Sequence, residues 1–420
     1  MAENDLDVVV FGATGVTGRR VSAYLAERAP EVDASWAAAA RDADKLDRIL
    51  AEDGVTGAET ISADLSDPDS LAAMASRAKV VLNLVGPYTL YGRPVIEACV
   101  AGGAHYADLT GEIPFVRQII DAFDSPAAEA QIKLVQVCGF EALPADLAVL
   151  LAIETARERW GEELTEVDLE ASIEGPPGLP RASDMISGGT AQSLAAAASS
   201  EDASAVTDPA ALIEDPELAA EVRRRSPISV APRRSGDAVI APMAPAAFIN
   251  PAVIQRTAAL SAVESGTVAP FRYREGLALP GGTATLPLRF AAAGALSGTQ
   301  AALAAATRMS PGARKRLSAG LGKLLPSSGF GPAADRLEAW NWRMTVEGRT
   351  AGGHSARVEV DAEGHPGYLA TAKMLGEAGL LLADPDATPE RAGCLTPATA
   401  LGTDCVERFE RARMRFTVAA

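Results

Sequence analysis

Three glycines, Gly12, Gly15 and Gly18, follow the apolar run VVVF at three-residue spacing. In that pattern the first glycine permits a tight turn out of a strand. The second lets a pyrophosphate lie against bare backbone, and the third lets the following helix pack close. A helix that opens near Thr14–Gly15 aims its free N–H groups and positive dipole end at an anion. The chemistry implied is dinucleotide binding, with Gly12, Thr14, Gly15, Val16, Thr17 and Gly18 around the phosphates. A tight turn with no ligand is the alternative, and the alternating strands and helices downstream argue against it.

The run SWAAAA ends in Arg41, with Asp42 next and Lys45 one helical turn on. A guanidinium can grip a ribose 2′-phosphate and stack on adenine, so Arg41 and Lys45 favour NADP(H). The other reading makes Arg41 a solvated loop charge and has Asp42 bind the 2′-OH of NAD. Asp64 and Leu65 close the third strand, where adenine is expected. Asn83, Gly86 and Pro87 follow the fourth, near the nicotinamide ribose, because ligands bind outside the carboxyl ends of such strands.

Hydride transfer also needs a proton donor. Tyr88 and Tyr91 follow the fourth strand, and Asp108 and Glu112 lie on and after the fifth. Tyr88, Asp108 and Glu112 are the candidate catalytic residues, the acids serving if burial raises their pKa values. The alternatives are structural: tyrosines packed at a domain interface, and Asp108 with Thr110 capping a turn. No Tyr has a Lys four residues later, which disfavours the short-chain dehydrogenase pattern. His105, His354 and His365 are not spaced as metal ligands, so no metal is expected.

The elements that must hold these residues alternate. Strand-like runs at 7–11, 34–40, 59–63, from Lys79, from His105 and from Lys133 are separated by helical stretches. Such alternation implies βαβ units and a doubly wound parallel sheet, an α/β Rossmann domain over residues 1–150. TEVDLEASIEG, WNWRMTVEGRT and SARVEVDAEG read as half-exposed antiparallel strands of an inserted mixed α/β domain over 151–365, for substrate or dimerisation. Helices over 366–420 are expected to pack back on the first domain. FAAAGALSGTQAALAAAT, residues 290–307, is uncharged but weakly apolar, and reads as a buried helix rather than a span, with an interfacial segment as the other reading.

The chain has 420 residues and a net charge of −17, which argues against nucleic acid as a partner. Its four cysteines form no C-x-x-C pair and its first residues are acidic, so a reducing cytoplasm is expected. RMSPGARKRLSAGLGK, residues 308–323, is a local basic stretch that suits an acyl carrier domain or an anionic membrane surface, or is a solvated helix face.

VVLNLVGPYTLYGRPVIEACVAGGAHYADLTGE, VCGFEALPADL, the SGGT at 187–190, HPGYLATAKMLGEAGLLL and GCLTPATALG together resemble the saccharopine dehydrogenase-like oxidoreductases. More narrowly they are similar to the trans-acting enoyl reductases. The resemblance implies an NADP-type Rossmann domain with a mixed second domain. It further implies reduction of a double bond in a lipid or polyketide chain on the route to glycolipids. An amino-acid C–N dehydrogenase and a nucleotide-binding, lipid-associated protein without turnover are the other readings, and a homodimer is an assembly left open. The chain departs from the pattern where Glu141-Ala142 stands in place of Asp-Ser after Cys-Gly-Phe, which leaves the catalytic part of that loop open.

Overall fold

A computed structural model describes residues 4–177, 193, 196, 200, 202–243, 245–265, 269–322 and 336–419. In the first half, β1 (Leu6–Phe11), α1 (Val16–Arg28), β2 (Trp36–Ala40), α2 (Ala43–Glu52), β3 (Glu59–Ser62), α3 (Pro68–Arg77) and β4 (Ala78–Asn83) come in turn. They continue as α4 (Tyr88–Gly102), β5 (His105–Asp108), α5 (Ile113–Glu129), β6 (Lys133–Val135) and α6 (Leu143–Trp160). The second half holds β7 (Leu164–Glu174), α7 (Pro216–Arg225), β8 (Arg233–Ser235), β9 (Ala238–Ala241), α8 (Asn250–Ser265) and β10 (Arg272–Leu279). After these come α9 (Leu286–Thr307), α10 (Pro311–Gly322), β11 (Asn341–Thr350), β12 (Ser355–Glu363), α11 (Thr371–Ala383), β13 (Gly393–Leu395), α12 (Pro397–Leu401) and β14 (Met414–Ala419).

The first sheet runs β13-β6-β5-β4-β1-β2-β3, and every pairing in it is parallel. Strand order reverses beside β1, between β2 and β4, which opens the crevice where such sheets take ligands. Val8, Val9 and Val10 are fully buried, as a strand covered on both faces requires. The seventh strand departs from the sequence reading, which placed only helices after residue 365. At three residues, β13 is too short for alternation to reveal it.

The second sheet runs β14-β12-β11-β7-β10-β9-β8. It is mixed, because β10 lies parallel to β7 whereas the other pairs are antiparallel. Trp342, Met344, Val346, Val358 and Val360 face inward. The outer face carries ion pairs such as Arg274 Nε with Asp168 at 2.8 Å and Arg343 Nε with Asp361 at 2.6 Å. Helix α6 packs against β11 and β12, and is apolar nearly all round because it is enclosed.

The last stretch serves both halves. Helix α11 packs on α1 and β4, where the buried Glu377 accepts from Tyr24 Oη at 2.8 Å, Arg28 Nε at 3.2 Å and Arg408 Nε at 3.0 Å. Strand β14 then closes the edge of the second sheet beside β12.

Helix α9 corrects the reading of 290–307 as buried. Only Arg289, Ala293, Gln300 and Thr307 of its residues are buried, and Leu288 is 72% exposed. Lack of charge suggested burial. A helix so rich in Ala has no strong amphipathic pattern to say which face, or how little of it, packs.

Candidate active site

The phosphate turn is built as its glycines require. Gly12 has φ +89°, and a Cβ there would lie 2.8 Å from Val85 Cγ2. A Cβ on Gly18 would strike the Gly12 carbonyl and come within 2.8 Å of Ala13 Cα, so α1 can sit this close only with glycine. Gly15 is the exposed N-cap of α1, and no side chain caps it. The first-turn N–H groups, at Val16 and Thr17 among others, therefore point outward with no acid beside them. A bare cradle at a helix N-terminus fits a pyrophosphate.

Arg41 is exposed at the end of β2, and Lys45 is exposed in the first turn of α2. The Asp42 carboxylate caps α2, its Oδ1 accepting from the Lys45 N–H at 2.9 Å. Across the crevice rim, Asp64 accepts from the Ser66 N–H at 2.8 Å and from the Ser66 hydroxyl. These bonds hold its carboxyl below the usual range, and the nearby Arg41 charge adds to the effect. Leu65 is half-buried beside it.

The structure brings Tyr88, Asp108 and Glu112 together at the carboxyl ends of β4 and β5, and engages every polar atom they carry. Glu112 caps α4: its Oε1 accepts from Tyr88 N at 2.8 Å, and its Oε2 from Thr89 N at 2.8 Å and from the Thr89 hydroxyl. Asp108 Oδ1 accepts from Thr110 N at 3.0 Å and Val137 N at 3.2 Å, and its Oδ2 from Tyr106 Oη at 2.8 Å. Tyr88 Oη donates to the Asn83 carbonyl at 3.1 Å and accepts from Leu109 N at 3.3 Å. Asn83 Nδ2 donates to Tyr106 Oη at 3.1 Å, which closes the network. Burial pushes Asp108 up to about 7, against the pull of its donors, and pushes Tyr88 well above its ordinary value.

The cleft itself is lined differently. Leu84, Val85, Gly86, Pro87, Leu109 and Gly111 stay partly open at these strand ends, with Leu90 and Tyr91 exposed further out. The loop after β6 meets them, since a Cβ on Gly139 would lie 2.9 Å from Leu109 Cδ2. That loop is held to the second half by Phe140, whose N–H donates to Thr371 Oγ1 at 3.1 Å and whose ring meets Trp342 edge-on at 5.0 Å.

Next in this loop is Glu141, a residue the sequence reading named only as a departure from a pattern. It is half-buried, near enough to Tyr88 to raise the phenol, and no other residue hydrogen-bonds its carboxyl among the described residues. Burial raises its pKa, with only its own backbone N–H pulling the other way. The available signal was its position: an acid between the last strand of the crevice and the helix that follows. The SGGT at 187–190 lies outside the described residues.

Comparison with known proteins identifies the family. Residues 8–135 match the saccharopine dehydrogenase NADP binding domain. A Mycobacterium tuberculosis protein named in the trans-acting enoyl reductase class is 35% identical, over 97% of this chain and 96% of its own length. The trans-acting enoyl reductases of Mycobacterium bovis and Mycobacterium ulcerans are 32% and 31% identical, each over 97% of this chain and 96% of theirs. Among solved structures, apo saccharopine dehydrogenase (L-Glu forming) from Saccharomyces cerevisiae shares the fold, with a TM-score of 0.53 over 98% of this chain and 99% of that one at 12% identity. The chain therefore belongs to the saccharopine dehydrogenase-like oxidoreductases, in the branch of the trans-acting enoyl reductases, and is an NADP-dependent oxidoreductase.

Proposed function

We propose that the cleft reduces a polarised carbon–carbon double bond in an acyl chain presented as a thioester, a lipid or polyketide intermediate. The observation that carries this reading is the cleft's lining. Residues 84–91, 109–112 and 137–142 contain no Arg, Lys or His, so these strand ends offer apolar wall and carboxyl but no cation for an amino-acid carboxylate. An enoyl thioester needs that combination: a dry apolar channel and one proton donor.

NADPH, when bound, supplies the hydride. The first-turn N–H groups of α1 hold its pyrophosphate, and Arg41 with Lys45 its 2′-phosphate. The network of Asn83, Tyr88, Tyr106, Asp108 and Glu112 fixes the floor of the cleft, so that the ends of β4 and β5 keep their shape. Glu141 in its protonated form gives a proton to the substrate α-carbon as the β-carbon is reduced, and the carboxylate is reprotonated from solvent. Of the acids at these strand ends, it alone is free of a structural hydrogen bond to another residue among the described residues.

The test is NADPH oxidation followed by absorbance, with 2-enoyl thioesters of increasing chain length in one series and α-keto acids plus amino acids in the other. Turnover in the first series, rising with chain length, is expected. Turnover only in the second would replace this reading with C–N bond chemistry.

A further inference from the structure

Helices α9 and α10 form an exposed apolar and basic platform that the reductase site does not use. Among described residues, Leu288 is 72% exposed, Phe290 37%, Met309 41% and Leu317 42%, and all four lie within 30 residues of sequence. They are half of the large apolar side chains that the described surface exposes. The chain has 55 acids, yet none falls between Glu275 and Asp335.

The charges in this stretch divide into two kinds. Arg289 is buried and donates to the carbonyls of Leu279 at 2.9 Å and Asp237 at 3.1 Å, so it fastens α9 to the β8–β9 hairpin and the end of β10. Arg314 is also buried, and donates to the carbonyls of Met309 at 2.7 Å and Ser200 at 2.9 Å. It thereby fixes the corner between α9 and α10. Arg308, Lys315 and Arg316 are exposed, and among the described residues no acid pairs with them. The platform is thus anchored from below by two arginines and presents three other cations.

We propose that this platform docks the protein on an anionic lipid surface, with Leu288, Phe290, Met309 and Leu317 in the interface and Arg308, Lys315 and Arg316 against the headgroups. Charge favours that occupant: in a chain of net charge −17, the acid-free segment is the part an anionic surface can approach. The chemistry of α9 favours it too. Its exposed face carries no charge, and the Thr299 hydroxyl is already donated to the Leu296 carbonyl at 2.8 Å. A protein partner would be expected to hydrogen-bond across such a helix, which is about 33 Å long at 1.5 Å per residue. A second copy docking through the same patch about a two-fold axis would set the cations against their own kind. The inference does not depend on which bond the cleft reduces.

The test is flotation of the full-length protein with vesicles of phosphatidylcholine alone, and of phosphatidylcholine mixed with phosphatidylglycerol. Binding to the anionic vesicles, weakened by salt, is expected. K315Q/R316Q should weaken it about twenty-five-fold, at roughly fivefold per cation. L288S/F290S should weaken it about tenfold or more on the same vesicles. Both variants change exposed residues far in sequence from the phosphate turn, and NADPH affinity by fluorescence should match wild type, which separates lost docking from lost folding. Equal vesicle binding by wild type and both variants would overturn the proposal, as would no binding by wild type. So would capture of an acidic acyl carrier protein without vesicle binding, or a dimer in sedimentation that L288S/F290S dissolves.

Discussion

The ends of β5 and β6 lie side by side in the sheet and hold acids in opposite conditions. At the end of β5 and just after it, Asp108 and Glu112 are fully buried, and each carboxylate oxygen accepts at least one hydrogen bond. After β6, Glu141 is half-buried and has no such partner in another residue among the described residues. Burial raises the pKa of both Asp108 and Glu141. The difference is what else the carboxyl must do. A carboxyl that satisfies buried N–H groups cannot leave them without exposing a desolvation cost, so it serves the fold. A raised carboxyl with nothing to satisfy can exchange a proton with whatever enters.

The largest effect that could break this contrast is on rate. Glu141→Gln should lower kcat by about 10²–10⁴, the range for losing a general acid, with stability unchanged or slightly improved. The wild-type rate should fall as pH rises through the raised pKa of Glu141, because the donor must be protonated, and the variant should lose that limb. Steady-state kinetics across pH, with urea unfolding in parallel, measures both. A variant with full turnover would remove Glu141 from the chemistry.

The next effect is on stability. Glu112→Ala strands the N–H groups of Tyr88 and Thr89 and the Thr89 hydroxyl at the start of α4, which should cost about 2–4 kcal/mol in urea unfolding. Glu141→Ala should cost less than about 1 kcal/mol in the same assay. If Glu112→Ala kept wild-type stability but lost turnover, the two strand ends would exchange roles.

The phosphate turn was legible in the sequence because each glycine answers a constraint a few residues away, as Gly18 against the Gly12 carbonyl shows. To the reading of Arg41 over Asp42 the structure adds one fact the sequence does not show, the cap that Asp42 Oδ1 makes on α2. The roles of Tyr88, Asp108 and Glu112 depend on lateral pairing, in which Asn83 of β4 stands opposite Asp108 of β5. Residue types and spacing put these side chains near the cleft but could not say which atoms were already spoken for. Glu141 was obscured for the same reason, since lack of partners is a property of the fold. Exposure of α9 was hidden because alanine suits a buried and an exposed helix alike.

The smallest effect sharpens the contrast at the other end of β5. His105 begins the strand, away from the cleft, and its Nδ1 accepts from the Lys133 N–H at 2.9 Å. Burial, with the Lys133 charge adding, pushes its pKa down to about 4. Below the unfolded value of about 6.5, the unfolded chain takes up a proton that the folded chain refuses. The stability this group contributes is therefore complete above pH ~6.5 and is lost as pH falls towards about 4. The loss should reach about 1–2 kcal/mol after discounting for partial exposure. His105→Asn keeps an acceptor for Lys133 but cannot titrate, so its urea midpoint should decline less than wild type between pH ~7.5 and ~4.5, a window that starts above the unfolded pKa of about 6.5 and covers most of the descent towards about 4. Its kcat should match wild type at pH 7, because a burial shift outside the cleft acts on folding alone. A change in kcat with no change in the acid limb of stability would mean that the two ends of β5 are coupled, and that the line between fold and chemistry does not run between Asp108 and Glu141.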